Sequence, residues 1–117
     1  MPRRHYFTDE KTTTLDTSTE GLVKFSRVGE GKEYHYTNIS AVNNTTSGYT
    51  LKFGILKIEQ KIWLEEETNC TKGVTYSNEK EIVVTATNQL IVGFFGGGSS
   101  DKVEVRVNGY WVKVGEE

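Results

Sequence analysis

Aromatic side chains are the residues of this sequence whose type and placement could serve a binding function. Six of them are amphipathic rings that we expect to be exposed: Tyr34, Tyr36, Trp63, Tyr76, Tyr110 and Trp111. Amphipathic rings of this kind stack on sugars and anchor protein interfaces, and arginine packs on them as a cation. Ordinary sheet-face packing is expected to take half or more of them. We predict an interface or ligand-stacking surface built from Tyr34, Tyr36, Trp63, Tyr110, Trp111 and Arg106.

Catalytic and nucleotide-binding patterns are missing from the other candidate segments. The glycine-rich stretch 96–100 runs into a strand, whereas a phosphate-binding loop opens a helix, so we interpret it as a flexible connection. Cys70 lies in no catalytic signature. Three adjacent carboxylates at 65–67 favour solvation, because paired acid and base groups need a separation of about 5–10 Å across a cleft. We expect no catalytic residue and predict that the protein is not an enzyme.

Metal and cofactor sites are not predicted either. The sequence holds two histidines, His5 and His35, and one cysteine, at spacings that fit no metal-ligand template. His35 lies between two tyrosines on a predicted strand, which favours a surface or cross-strand role.

The end of the chain carries the clearest secondary-structure pattern. Residues 102–114 alternate between apolar and polar on both sides of an Asn-Gly pair at 108–109, the pair that most readily forms a type I′ turn. The pattern predicts a terminal β-hairpin, in which Arg106 packs on the ring of Trp111 as a cation–π pair. One side of this hairpin would be apolar and the other solvated.

Short strands with turn signals between them fill most of the remaining chain. The predicted strands are 22–25, 33–42, 49–55, 81–86 and 89–94, with 58–64 as a continuation of the third or as the next strand. A polar connection is predicted at 65–73. About seven or eight strands and no helical periodicity indicate an all-β fold: a single antiparallel β-sandwich, jelly-roll or immunoglobulin-like, or a small barrel.

The first 20 residues differ from the rest of the chain. They are rich in threonine and almost free of core candidates, which predicts an extended N-terminal arm, ordered by a partner or simply frayed. The β-sandwich domain is expected to span residues 21–117. Removal of the arm would then leave the sandwich folded and weaken assembly.

Composition limits the class of function. The chain has 117 residues, enough for one domain, with 35% hydrophobic residues and a net charge of −2. A chain without a basic stripe is not expected to bind nucleic acid. The longest apolar run, 90–95, is too short to span a bilayer, and no secretion signal is recognisable. We expect a soluble protein made in a cytoplasm, without membrane contact.

The order of segments between residues 33 and 114 resembles that of small β-sandwich accessory proteins in tailed-bacteriophage particles. The similar features are a strand entering an Asn-rich turn (36–48), an alternating strand (49–53), a late hydrophobic pair (81–85 and 90–94) and a Val-rich hairpin ending in 107–109. Asn88-Gln89 stands where the group often carries Gly-Asp. The resemblance implies no active site, a place in rings, at vertices or on the capsid lattice, and termini that clasp a neighbour.

Two functions follow from these observations. The leading hypothesis is a non-enzymatic virion protein, a capsid, head–tail or tail accessory or decoration protein, which forms a homo-oligomer and contacts other virion proteins. Its location would be the virion after synthesis in the host cytoplasm, or otherwise the cytoplasm. The alternative is a carbohydrate- or ligand-binding β-sandwich module, in which Trp63, Trp111 and the nearby tyrosines stack on a glycan.

Overall fold

A computed structural model describes residues 3–16 and 19–115, and these residues form nine β-strands and no helix. In chain order the strands are β1 (His5–Thr14), β2 (Gly21–Lys24), β3 (Lys32–Asn43), β4 (Tyr49–Lys57), β5 (Gln60–Cys70), β6 (Tyr76–Ser77), β7 (Ile82–Thr85), β8 (Gln89–Phe95) and β9 (Lys102–Lys113). The first sheet has the order β1-β9-β3-β6, with β7 also paired to β3, and the second has the order β2-β8-β4-β5. All of these pairings are antiparallel.

The two sheets face each other across one hydrophobic core. Alternation along β9 turns Val103, Val105 and Val107 inward, and all three are fully buried. The second sheet supplies the facing layer with residues such as Leu51 and Phe94. The prediction of an all-β antiparallel sandwich is therefore confirmed, with two separate sheets in place of the small barrel.

The predicted terminal hairpin is wrong, because residues 102–113 form a single strand. β9 lies between β1 and β3 and pairs with both along its length, so the Asn-Gly pair sits in the middle of a central strand. The alternation that predicted an apolar face was correct, but both halves of the pattern belong to the same strand. Positive φ angles are not found at either residue of the pair.

Gly109 lies beside a β-bulge in the neighbouring strand, β3. The register between β3 and β9 shifts between Tyr36 and Asn38, which leaves Thr37 as the extra residue. The Thr37 hydroxyl donates a hydrogen bond of 3.2 Å to the carbonyl oxygen of Asn108. A Cβ at Gly109 would overlap the carbonyl oxygen of His35, so this residue permits the close approach of the two backbones.

The predicted polar connection at 65–73 is also incorrect in its first part, since β5 continues to Cys70. Its carboxylates are accommodated because β5 is an edge strand whose side chains reach solvent. The Glu66 carboxylate lies 3.5 Å from the Lys52 ammonium group. Glu65 instead accepts from the backbone amide of Lys80 at 3.2 Å, which links β5 to the segment before β7.

Residues 5–14 of the predicted N-terminal arm form β1, which pairs with β9 over all ten residues. Leu15 follows as a buried core residue, and its amide donates to the carbonyl of Asp101 at 2.8 Å. Residues 1, 2, 17 and 18 of the arm, and 116 and 117 of the predicted domain, lie outside the described residues. Because β1 covers the edge of β9, the structure changes the result expected from removing residues 1–20: the sandwich should be destabilised.

Candidate functional site: an aromatic cleft at one end of the sandwich

The six residues predicted to form one binding surface lie on three different surfaces. Side chains that share the parity of buried Val107 on β9 face the core, and their neighbours face outward. The inner face of the first sheet carries Tyr34, Tyr36 and Trp111, its outer face carries Arg106 and Tyr110, and the outer face of the second sheet carries Trp63. The two tryptophans therefore cannot contribute to a single stacking platform.

Trp63 has a packing role on the second sheet. Its six-membered ring covers Gly54 and Gly93, where an added Cβ would overlap the tryptophan side chain. The ring meets Phe95 edge to face, with centroids 5.5 Å apart. The Lys52 ammonium group lies 4.8 Å from the centre of the Phe95 ring. Trp63 therefore covers the backbone at two positions where glycine has no side chain of its own.

Tyr110 is enclosed from both sides on the outer face of the first sheet. The His35 ring stacks on it at 4.7 Å from β3, and the Arg4 guanidinium lies 4.3 Å from its centre on the β1 side. His35 is held in turn by two carboxylates, with Nε2 2.8 Å from Glu33 and Nδ1 3.2 Å from Glu81. This row of side chains runs from Arg4, just before β1, to Glu81, just before β7, and two of its members contact the Tyr110 ring.

Arg106 pairs with a carboxylate and not with a ring. Its guanidinium lies 2.9 Å from the Glu10 carboxylate, across the β1–β9 ladder. Arg106 and Trp111 face opposite sides of the sheet, so the predicted cation–π contact between them is wrong. The cation on the Trp111 ring is Lys32, whose ammonium group lies 4.3 Å from the ring centroid.

An aromatic cleft of about 270 Å³ opens on the inner side of the first sheet, at the end where β9 finishes. It lies between β1 and the segment that follows β2, because β2 is too short to cover the inner face of β1 at this end. Its lining combines five rings with charged and hydroxyl groups: Phe7, Thr8, Asp9, Phe25, Ser26, Arg27, Tyr34, Tyr36, Val107 and Trp111. We refer to this site as the aromatic cleft.

The rings of the aromatic cleft pack on one another. Phe7 and Tyr36 meet edge to face at 5.6 Å, reaching across Gly109, which has no side chain between them. Trp111 is stacked on His5, with centroids 3.9 Å apart, and Lys32 also lies against its ring. The Trp111 ring that borders the cleft is therefore already in contact with two side chains of the chain itself.

The Tyr36 hydroxyl is the polar group that distinguishes this cleft. Tyr36 is 3% exposed and makes no hydrogen bond with any other described residue, yet its oxygen is not fully enclosed. Burial raises the pKa of Tyr36, and the neighbouring Tyr34 and the negative charge of Asp9 raise the pKa further. The hydroxyl therefore stays protonated at neutral pH and is available as a hydrogen-bond donor and acceptor.

Reactive groups lie elsewhere and are held in structural contacts. Burial raises the pKa of Cys70, and its thiol contacts the carbonyl oxygen of Glu67 at 3.3 Å, which disfavours the thiolate. Across the described residues, no three His, Cys, Asp or Glu side chains are grouped closely enough to hold a metal ion. Within the same part of the chain, no helix has the length and apolarity needed to cross a membrane.

Sequence reasoning missed seven residues of the cleft lining: Phe7, Thr8, Asp9, Phe25, Ser26, Arg27 and Val107. Phe7 and Asp9 belong to the segment predicted as an arm, where one phenylalanine among threonines and charges does not indicate a buried face. Phe25 was expected only to begin the folded part. The available signal was the alternation of His5, Phe7 and Asp9 on one side of an extended segment.

No protein-family model matches this sequence, and no curated protein matches it significantly. Solved structures with a similar backbone include infectious bursal disease virus, Gt strain, at 10% identity and a TM-score of 0.48, covering 99% of this chain and 34% of that one. A CBM4 structure matches at 8% identity and a TM-score of 0.41, covering 89% of this chain and 82% of that one. The CBM22-1–GH10 modules of Clostridium thermocellum xylanase 10B, complexed with xylohexaose, match at 11% identity and a TM-score of 0.44. The match covers 94% of this chain and 26% of that one.

These similar structures include both a virus and carbohydrate-binding modules. At such low identity they do not assign a function to this chain. The fold class rests on the two sheets described above.

Proposed function

We propose that this chain is a non-enzymatic structural protein of a virus or bacteriophage particle, which assembles as an oligomer through the edge of β1. The observation that carries the proposal is the long, regular and unpaired edge of that strand. Other virion proteins, placed around a capsid, a head–tail junction or a tail, would be its further partners. No described feature requires a catalytic role for such a protein.

The edge of β1 differs from the other sheet edges among the described strands. All ten residues of β1 pair with β9 in one continuous register, which leaves a straight second edge. The edge strand β5 is interrupted by two register shifts, and β2, β6 and β7 have four residues or fewer. Proteins usually blunt a long edge with bulges, prolines, charged side chains or short length. β1 carries three charged residues at 9–11 but no bulge or proline, so its regular backbone is a template for strand addition.

One hydrogen bond indicates which backbone groups of β1 face outward. The amide of Glu10 donates to the Asp9 carboxylate at 2.8 Å and is not used in the ladder with β9. Because alternate residues of a strand address the same neighbour, the amides of Thr8 and Thr12 should also point to the open edge. A second copy of the chain could therefore pair with β1 through these groups without disturbing β9.

The test is the solution mass of full-length protein, by size exclusion with light scattering, for the native chain and two variants. Thr12→Pro removes one outward amide and places a ring on the edge, so the oligomer should weaken about tenfold or more. Thr12→Ser keeps the amide and serves as the matched control. An oligomer that survives Thr12→Pro would exclude the edge, and a monomeric native chain at high concentration would remove the assembly proposal.

The particle assignment has a separate test. Antibodies against the chain should label intact purified particles from the same source in electron micrographs. Antigen found only in the soluble fraction would contradict the virion role, whatever the oligomeric state.

A second candidate function, a carbohydrate- or ligand-binding module, is favoured by one specific observation. The buried Tyr36 hydroxyl borders an open cleft without a protein partner. Buried polar groups are ordinarily hydrogen-bonded, so such a group is typical of a site that a ligand or an ordered water completes.

A further inference from the structure

We propose that the aromatic cleft binds a small neutral sugar of one or two rings, with the Tyr36 hydroxyl as its deepest hydrogen-bonding group. This inference rests on the second candidate function and moves the site away from the tryptophan platform expected from the sequence. It identifies the ligand by the chemistry of the cleft lining alone.

The dimensions of the cleft suit a small ligand. Its volume of about 270 Å³ lies just below the range of roughly 300–1,000 Å³ that is typical of sites for drug-sized molecules. A longer chain of sugars would have to leave the cleft toward solvent. Rings of Phe7, Phe25 and Tyr34 supply apolar walls, which match the C–H faces of a pyranose.

The cleft lining holds one carboxylate, Asp9, and one guanidinium, Arg27, and the Lys11 and Lys32 ammonium groups lie 5.5 Å from the Phe25 ring and 4.3 Å from the Trp111 ring. This mixture of donors and acceptors favours a molecule that does both. Asp9 offers only acceptors and repels an anion, whereas Arg27 offers only donors and repels a cation. Ser26 and Tyr36 add hydroxyl groups that can do either. Sugar hydroxyls satisfy all of these groups at once, while a phosphate or carboxylate would meet the Asp9 charge.

The Tyr36 hydroxyl provides the second, independent observation. Tyr36 is only 3% exposed and borders the cleft. Its hydroxyl makes no hydrogen bond to any other described residue. Because this oxygen borders the cleft, a ligand hydroxyl placed there would be within reach of a group that can both donate and accept a hydrogen bond. Tyr49, at the opposite end of the core, also has an unpartnered hydroxyl, but that oxygen is fully enclosed and accessible to no ligand.

These two tyrosines define the experiment. Amide chemical shifts of full-length, isotope-labelled protein are followed on titration with millimolar cellobiose, maltose and lactose, with glucuronate as an acidic counterpart. We expect at least one neutral disaccharide to shift residues of β1 and of the segment 25–27. Tyr36→Phe, which removes only the oxygen, should weaken its binding roughly 3- to 10-fold. Tyr49→Phe is the matched control and should bind like the native chain.

Each outcome decides a separate point. No binding by any neutral sugar overturns both this inference and the second candidate function, and leaves the assembly proposal standing. Sugar binding that persists in Tyr36→Phe and is lost in Trp63→Ala keeps the second candidate function and overturns the cleft as its site. A clear preference for glucuronate overturns the neutral ligand class.

Discussion

The two ends of the sandwich handle buried polar groups in opposite ways. Where β9 begins, Asp101 is 1% exposed and its carboxylate accepts from the Asn43 amide group at 2.8 Å, the Thr46 hydroxyl at 2.6 Å and the Gly98 backbone at 2.7 Å. Where β9 ends, the Tyr36 hydroxyl has no such partner and borders an open cleft. We call these the closed end and the open end.

The closed end shows why the glycine-rich segment is more than a passive connection. Asp101 follows that segment directly, and its carboxylate accepts a hydrogen bond from the backbone amide of Gly98, which links the segment to the start of β9. The same carboxylate binds Asn43, the last residue of β3, and Thr46, in the turn between β3 and β4, both in the other half of the chain. One buried side chain therefore fastens two loops that connect the sheets.

The difference between the ends teaches how to separate structural from functional polar groups. A buried polar group whose hydrogen bonds are completed by the chain stabilises the fold, because desolvation is offset within the protein. A buried polar group that the chain leaves incomplete beside a cleft is available to another molecule. The first description fits Asp101 and the second fits Tyr36.

The largest effect should come from removing the closed-end carboxylate. Asp101→Ala leaves one buried donor, on Asn43, and two half-buried donors, on Thr46 and Gly98, without their acceptor. We expect it to lower the free energy of unfolding by about 3 kcal/mol. Asp9→Ala, an exposed aspartate at the open end, is the matched control, with a change within about 0.5 kcal/mol. Urea unfolding measures both. Equal losses would show that the two ends do not differ in this way.

The same network should make stability depend on pH. Burial by itself would raise the pKa of Asp101, but the hydrogen bonds from Thr46, Asn43 and Gly98 outweigh burial and hold this pKa below its ordinary value. A lowered pKa in the folded state means stability that is present above the unfolded pKa, about 3.9, and is lost as pH falls through the folded pKa. The advantage of the native chain over Asp101→Asn should therefore shrink below about pH 4.

Urea unfolding of both proteins at about pH 7 and about pH 3 tests this dependence. Salt concentration is kept constant, so that screening of surface charges does not change between the two series. A difference between the proteins that stays the same at both pH values would show that the Asp101 charge does not carry the stabilisation.

The smallest effect concerns the enclosed hydroxyl of Tyr49. Burial raises the pKa of Tyr49 to about 12, with Cys70 adding to the shift and the Asn43 backbone opposing it. Its oxygen forms no hydrogen bond of good geometry with the described residues. Tyr49→Phe should therefore raise the free energy of unfolding by up to about 1 kcal/mol.

Thermal and urea unfolding of Tyr49→Phe would sharpen the comparison of the ends. A loss of about 1 kcal/mol or more would mean that the hydroxyl is satisfied at the closed end, for example by water, and that the two tyrosines are not equivalent probes. Tyr36→Phe, measured in parallel, should lie within about 0.5 kcal/mol of the native chain.

Local patterns predicted most strands but not their neighbours. The strands expected at 33–42, 49–55 and 89–94 match β3, β4 and β8 within a few residues. The hairpin at 102–114 failed because alternation is the same in one long strand as in two short ones, and Asn-Gly also suits a position beside a bulge. The segment 65–70 was misjudged because carboxylates on an edge strand look like a loop.

The candidate site was less predictable than the fold. Tyr34, Tyr36 and Trp111 were identified, and they do border the cleft, but Trp63 and Tyr110 were grouped with them across different surfaces. Phe7 and Asp9 could not be assigned because their segment carries little apolar content. The segment is ordered as a strand by pairing with β9, which lies about 100 residues away in the chain.

The sequence by itself determined that this is an all-β protein whose strands have alternating faces, because the side-chain period of two is a property of each strand alone. Only the tertiary structure decided which strands are neighbours, since pairing is set by contacts between distant segments. That pairing places β1 at an open edge, separates the two tryptophans and leaves the Tyr36 hydroxyl at the aromatic cleft. Both proposed functions depend on those placements, which no local pattern encodes.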